Sequence, residues 1–432
     1  RAQNTFDLTI YPNEKGPYNN NLSSDFLNDV RNNWSGITRK INATNFKKTN
    51  VEYIQFWVLD NFSDDNSQSI EIGDLVFHLG NISEDILPDG KKQFENGLPT
   101  ETNNNSQLSN WGITPSSQSL TYAFSSLENE RKMQDVGYDG LSDSEEINFY
   151  TNGNISDPAN DNFINYLDAG GGILDRYKNY NGSEGNSPIQ TDTNKRGSTN
   201  FPDTEDVNND NTMNRINSYF EYRIPLTKNM NSENSPFIVD SRISEIKLPN
   251  GNTSKSKWLL FKVPIFKEYY ESKNLDQYFK AINGINDLKS ISFMRMVLEN
   301  FENPTTLRFA TLDLVKTDWK RYNLPLNKSN SINSETSFEI GAVNIFDNET
   351  RQPVNYILPP NVQREEIYNN NSIIRQNEQS LSLKVKDLKS KDSRAEMKFS
   401  LLFFGADFVA VRRVRATVVL RPEAGRSSAE HA

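Results

Sequence analysis

Cysteine is absent from all 432 residues, which excludes disulfide scaffolds, thiolate zinc sites and cysteine nucleophiles together. Histidine is nearly absent: His78 and His431 are the whole supply, so Ser-His-Asp catalysis has little material to work with. No apolar run approaches the roughly 20 residues of a membrane-spanning helix. Positive charge is in deficit, with 47 Lys and Arg against 57 Asp and Glu and a net charge of −10. Binding nucleic-acid phosphates needs clustered basic residues, so no nucleic-acid partner is expected. The triplet "GGG" at 170–172 lacks the Lys and Ser/Thr of a phosphate loop. The chain opens on "RAQNTF", with neither Met nor a signal-peptide pattern, and reads as an internal or processed piece. No enzyme signal survives, and a non-enzymatic role is expected.

What is present is aromatic and β-prone. Against a hydrophobic content of only 35% stand 25 Phe, 17 Tyr and 5 Trp, far too many aromatics for a disordered chain. The length suits about two to four domains. Runs rich in β-branched and aromatic residues, bounded by Asn, Asp, Gly or Pro, mark strands, and they fall in two regions. The first holds "NVEYIQFWVLDNF" (50–62) and "GDLVFHLGNIS" (73–83). The second holds "SYFEYRIPL" (218–226), "KWLLFKVPIF" (257–266), "SISFMRMVLENF" (290–301) and "TTLRFATLDLV" (305–315). The echo of "VLDNF" (58–62) in "VLENF" (297–301) points to a tandem duplication.

The expected fold is therefore mainly β, with two jelly-roll-like β-sandwiches of the galactose-binding type over 1–100 and 216–330. An acidic, Asn- and Gly-rich connector with a few short helices spans 101–215, and 331–395 begins a further β region. A short helix is expected over 269–284, capped by Gly284, and one helical turn near 93–100. Asn is over-used until Asn377 and absent after it. The Ala-, Val- and Arg-rich tail 396–432 is set aside as foreign in origin. The excess of Asn has two explanations, an AT-rich genome or a chain with many turns that exploit its tolerance of positive φ.

The stretch "DVGYDGLSDSEE" (135–146) carries the most specific chemistry. A calcium loop of the EF type places ligands at positions 1, 3, 5, 7, 9 and 12, with Gly at 6. Here these are Asp135, Gly137, Asp139, the Leu141 carbonyl, Asp143 and Glu146, with Gly140 at the turn. Position 3 lacks a ligand and no strong helical pattern flanks the loop. A second series runs through Asp206, Asn208, Asp210, the Thr212 carbonyl and Asn214. Hard oxygen donors at alternate residues suit structural Ca²⁺; the same residues also suit Asx-turns in a solvated connector. Trp34, Trp57, Trp258 and Trp319 are either core residues or a sugar platform, and core packing is the simpler reading. His78 reads as a strand residue, solvent-facing or hydrogen-bonded. The paired acids Glu145 and Glu146 have glycosidase chemistry available only if a partner lies at the right distance, which the sequence does not give.

Several long strings resemble one known family in the order they take there: "NWSGITRKINATNFKKTNVEYIQFW" (33–57), "LVFHLGNISEDILPDGKKQFENGLP" (75–99), "DVGYDGLSDSEE" (135–146), "PDTEDVNNDNTMN" (202–214) and "YILPPNVQRE" (356–365). This is the SprA family, called Sov in some relatives, the giant outer-membrane translocon proteins of the type IX secretion system that also serve gliding motility. The resemblance runs from about Phe6 to Arg394. It departs where Trp34-Ser35-Gly36-Ile37 and Leu358-Pro359-Pro360-Asn361 stand for the family's Trp-Gly-Gly-Ile and Leu-Pro-Pro-Gly. It implies an outer-membrane or cell-surface location through the rest of the protein, and other secretion components and exported cargo as partners. This segment would be a scaffold or cap around the export channel. A secreted carbohydrate-binding protein with tandem sandwiches and structural calcium is the alternative.

Overall fold

Period-two alternation of apolar and polar residues places the strands, because successive side chains of an extended chain point to opposite faces. The computed structural model describes residues 5–19, 28–42, 44–63, 70–117, 121–150, 156–189, 196–247, 250–316, 337–345, 357, 366–369, 372–375, 380–386 and 416–417. The chain divides into two units, Arg1–Val315 and Lys316–Ala432. The first carries β1 (Phe6–Ile10), β2 (Trp34–Lys40), β3 (Val51–Leu59), β4 (Glu71–Asn81), β5 (Ser106–Leu108), β6 (Ile113–Pro115), β7 (Ser218–Thr227), β8 (Ile238–Lys247), β9 (Thr253–Pro264), β10 (Phe279–Ala281), β11 (Phe293–Glu299) and β12 (Thr305–Lys316).

Two five-stranded sheets form, in the orders β1-β12-β3-β9-β8 and β10-β7-β4-β11-β2. Their inner faces share one core. Phe56 of β3 lies 5.4 Å from Phe77 of β4 across the sheets, and 5.1 Å from Phe261 of β9 in a stacked pair. Ile54, Phe56, Leu75, Phe77, Tyr222 and Phe261 are fully buried.

The mainly β class expected from the sequence is what forms, but its two strand-rich regions do not build separate sandwiches. β3 pairs antiparallel with β9, and β4 lies between β7 and β11. The matching strings "VLDNF" and "VLENF" thus end strands of opposite sheets. The physical reason lies in β3 and β4, whose patterns are nearly all buried. Such strands need neighbours on both edges and a covering sheet, and the first region alone does not supply them. Residues 82–217 become an insertion whose ends are adjacent, since Asn81 pairs with Ser218.

Asn has a structural use here. Among the described residues, eight of the nine non-glycine residues at positive φ are Asn, including Asn50 and Asn274 as left-handed helix caps. Asn274 also shortens the expected helix over 269–284. The helix is Lys267–Lys273 and stops there, because Phe279 is needed in β10, where its ring stacks on Tyr270 at 5.1 Å and Phe220 at 5.5 Å. Gly284, expected as the cap, sits beyond β10 at φ +78°. The single turn expected near 93–100 is a 3₁₀ turn at Glu95–Gly97.

In the second unit β13 (Ser337–Val343) pairs with β16 (Ser380–Lys386), and β14 (Glu366–Asn369) with β15 (Ser372–Arg375). Two residues of the tail, β17 (Ala416–Thr417), pair parallel to β16. Trp319, nearly all of "YILPPNVQRE" and the remainder of the 396–432 tail lie outside the described residues.

Candidate metal centre

The insertion folds around carboxylates as much as around hydrocarbon. Among the described residues its apolar cluster comprises Leu87, Tyr150 and Ala159 together with Tyr18 from the N-terminal segment, with Trp111, Tyr138 and Phe149 against it. Loops have no ladder to satisfy their backbone donors, and a buried N–H without an acceptor costs about 1–3 kcal/mol. Buried acids supply the acceptors. Glu95 takes the N–H groups of Gly137 at 2.9 Å and Asp203 at 2.6 Å. Glu205 takes those of Ile86, Leu87 and Gln93, and burial pushes its pKa up to about 8. Each acid ties together segments remote in sequence.

Three of these segments converge on one point. Glu184 bridges both Val136 and Asn162, its N–H donating to the Asp161 carbonyl while its own carbonyl accepts from Phe163. "DVGYDGLSDSEE" enters this point as a turn followed by a helix, Asp143–Phe149, whose first turn closes in a capping box between Ser142 and Glu145. The expectation of no flanking helix is corrected: the helix begins inside the stretch. Asp143 and Glu146, three residues apart, share one helix face.

Around Glu146 the acids form two overlapping groups, Asp139–Glu146–Asp161 and Asp143–Glu146–Asp157, each with carboxylate oxygens within 4.8 Å of one another. The first is buried: Asp139 and Glu146 are 0% exposed and Asp161 1%. Asp139 accepts from Leu141 N–H at 3.1 Å and from the Tyr150 hydroxyl at 2.8 Å. Glu146 Oε2 accepts from Ala159 N–H at 2.9 Å. Asp161 Oδ2 accepts from the Tyr18 hydroxyl at 2.5 Å and Ser183 Oγ at 3.2 Å. Glu146 Oε1, Asp161 Oδ1 and Glu184 Oε2 are buried without a hydrogen-bond partner. None of these acids joins an ion pair among the described residues. Burial first, then neighbouring acids, raises their pKa values: Glu146 and Glu184 to about 8, Asp161 to about 6, and Asp139 well above the usual carboxylate range. An all-oxygen set of this kind suits a hard cation.

Of the residues singled out in the first loop, Asp139, Asp143 and Glu146 are brought together. Asp135 turns elsewhere, both oxygens accepting from Ser187 N–H at 3.1–3.2 Å. Leu141 meets the group through its N–H. Asp157, Asp161 and Glu184 were missed, although "DPANDN" (157–162) repeats the same residue types. Gly137, the position without a ligand, explains itself: φ is +77°, and a Cβ there would lie 2.1 Å from Asp161 Oδ2. Asp161 fills from a distance the place that the local sequence leaves open.

The second loop is built differently. Asp206 pairs with Lys92 Nζ at 2.8 Å and accepts from the N–H groups of Asp210 and Asn211. Asn208 Nδ2 donates to the Asp210 carboxylate while Asp210 N–H donates to Asn208 Oδ1, Asp210 accepts from Thr212, and Asn214 donates to Glu84 and to the Ile82 carbonyl. These are the contacts of Asx-turns. Trp34, Trp57 and Trp258 are divided between the two sheets. Trp34 is 63% exposed on β2, and Trp57 and Trp258 lie on the other sheet's outer face with Arg242 over Trp57. The core packing expected of them is corrected for Trp34, whose strand is an edge. His78 is buried, with Arg295 Nε donating to Nδ1 at 3.0 Å.

The family model SprA_N, described as a motility related/secretion protein, matches residues 143–419. The chain belongs to the SprA family. The match covers well over half of this SprA-family chain, opening at Asp143 in the acidic centre and continuing past Arg394, where the resemblance read from the sequence stops. It thereby takes in β17 and part of the tail first set aside. No curated protein matches the chain. Among the described residues no helix is long and apolar enough to cross a membrane. Family membership makes this a motility- and secretion-related protein.

Proposed function

We propose that this segment is a non-enzymatic scaffold or cap at the export channel of an outer-membrane translocon, contacting other secretion components and exported cargo. The reading rests on membership in a motility and secretion family, and one structural observation gives it form. Residues 82–217 leave and rejoin the sandwich at paired positions, Asn81 and Ser218. Paired ends fix where such a module leaves and rejoins the sandwich, which suits a scaffold element. The sequence supports the non-enzymatic part through its lack of Cys and near lack of His.

The test uses the full-length protein in cells. Replacing 82–217 by an Asn-Gly turn between Asn81 and Ser218 keeps the β4–β7 pairing intact. Export and gliding should fall while the protein still reaches the membrane at normal level. Unimpaired export and gliding would overturn the reading.

A further inference from the structure

We propose that Asp139, Glu146 and Asp161 bind one Ca²⁺ ion, which clamps the 135–146 turn, the 157–163 segment and the strand-like stretch at Ser183–Glu184 into one unit. The inference is independent of the scaffold reading.

Three observations carry it. First, one carboxylate oxygen from each of the three acids lies within 4.8 Å of the others, close to the span across a calcium shell, twice a Ca–O distance of about 2.4 Å. Second, Glu146 Oε1 and Asp161 Oδ1 are buried, belong to side chains at most 1% exposed, and have no hydrogen-bond partner. A desolvated carboxylate oxygen without a donor is costly unless a cation meets it. Third, no Lys or Arg among the described residues forms an ion pair with this group, although Lys92 does so for Asp206.

The neighbouring group Asp143–Glu146–Asp157 is the weaker host. Asn162 Nδ2 donates to both Asp143 oxygens at 3.0 and 3.1 Å, and Asp157 accepts from the N–H groups of Asp161 and Asn162. The two Asp139 oxygens accept as well, so the difference lies in Asp161, whose Oδ1 gives the first group a second buried oxygen without a donor beside Glu146 Oε1. Calcium fits better than magnesium because Mg²⁺ keeps several waters and rarely sits in an all-protein cage. The Tyr150 hydroxyl lies against Asp139, the Tyr18 hydroxyl and Ser183 against Asp161, and the Gly112 backbone packs so close that a Cβ there would lie 2.1 Å from the Asp139 carbonyl oxygen.

The experiment is calorimetric titration of the chelator-treated full chain with CaCl₂ in a background of excess MgCl₂, with limited proteolysis in parallel. One Ca²⁺ should bind per chain and slow cleavage within 130–190. Asp161→Asn keeps the shape and an acceptor for Tyr18 and should weaken binding at least tenfold. Glu146→Gln, which keeps an acceptor for Ala159, should do the same. Asp210→Asn in the Asx-turn loop should leave affinity unchanged. Should either centre variant misfold by circular dichroism, the other and the wild-type stoichiometry still decide. Absence of calcium binding by the wild-type chain, displacement by Mg²⁺ at comparable concentration, or full affinity in a folded Asp161→Asn chain would each overturn the proposal.

Discussion

Truncating Phe56 separates one shared core from two independent ones. Phe56 is fully buried on β3. Its ring lies 5.4 Å from Phe77 in the facing sheet, 5.1 Å from Phe261 on β9 and 5.8 Å from Phe309 on β12. Two of those partners belong to the second strand-rich region. Phe→Ala in a well-packed core costs about 3–5 kcal/mol. A unit of some 315 residues unfolds with an entropy of roughly 0.7 kcal/mol/K at about 2.1 cal/mol/K per residue, so Phe56→Ala should lower Tm by about 4–7 °C. The more telling assay is hydrogen exchange followed by mass spectrometry. In a shared core, amides of β7, β9, β11 and β12 lose protection together with those of β3 and β4. A Phe56/Phe261 double-mutant cycle should return a coupling of about 0.5–1.5 kcal/mol. Loss of protection confined to residues 50–83, with zero coupling to Phe261, would refute the interleaved sandwich.

Three further perturbations probe the insertion and the outer face of the second sheet. Gly137→Ala combines strain at φ +77° with a collision against Asp161, whereas Gly185→Ala at φ +72° meets nothing within 4 Å; thermal denaturation should show a loss of about 1–2 kcal/mol for Gly185→Ala and clearly more for Gly137→Ala. Burial lowers the His78 pKa, with Arg295, Glu221, Glu299 and the stacked Tyr219 facing it. A folded pKa below the unfolded one gives stability present above the ordinary value near 6.5 and lost as pH falls from there toward the folded value, so Tm should drop between pH 7 and 5, and less so in His78→Gln. Glu205, raised to about 8 by burial with Asp85 as its acidic neighbour, has the opposite sign: its contribution is full below the ordinary carboxylate range and is lost as pH rises through about 8. Tm should therefore fall between about pH 5 and about pH 8 and level off above it, and the fall should be smaller in Glu205→Gln.

The strands were legible because alternation is a local property. "SYFEYRIPL" states its own faces, and β7 occupies them nearly residue for residue, while "VEYIQFWVL" marks β3 by its β-branched and aromatic residues. Which strand pairs with which was not local. The similarity of "VLDNF" to "VLENF" invited a duplication, but burial of β3 and β4 on both faces could be satisfied only by strands from beyond residue 217. The helix expected to reach Gly284 ended at Asn274 for a similar reason, as tertiary demand for Phe279 outweighed local pattern. At the acidic centre, Asp139, Asp143 and Glu146 were legible from spacing. Asp157, Asp161 and Glu184 were not, because spacing describes one stretch of chain and the centre is assembled from three.

Two acidic loops that look alike in sequence thus end in different electrostatic states, and the difference is set by residues far from both. Asp206 and Lys92 are 16% exposed or less at their side chains and neutralise each other, so the loop around them closes with Asx-turns alone. Asp139, Glu146 and Asp161 have hydroxyls and backbone N–H groups for some of their oxygens, yet among the described residues no basic side chain pairs with their charge. Hydrogen bonds satisfy lone pairs but leave net charge in place, and burying like charges together raises their pKa values until protons or a cation bind. The chain's low hydrophobic fraction follows from the same economy of parts. Apolar side chains are concentrated in the sandwich, while 82–217 gains its order from carboxylates that accept backbone donors across long loops. Such an interior is cohesive only when its charge is balanced, which makes the ionic environment, rather than hydrocarbon packing, the variable to which this insertion should respond.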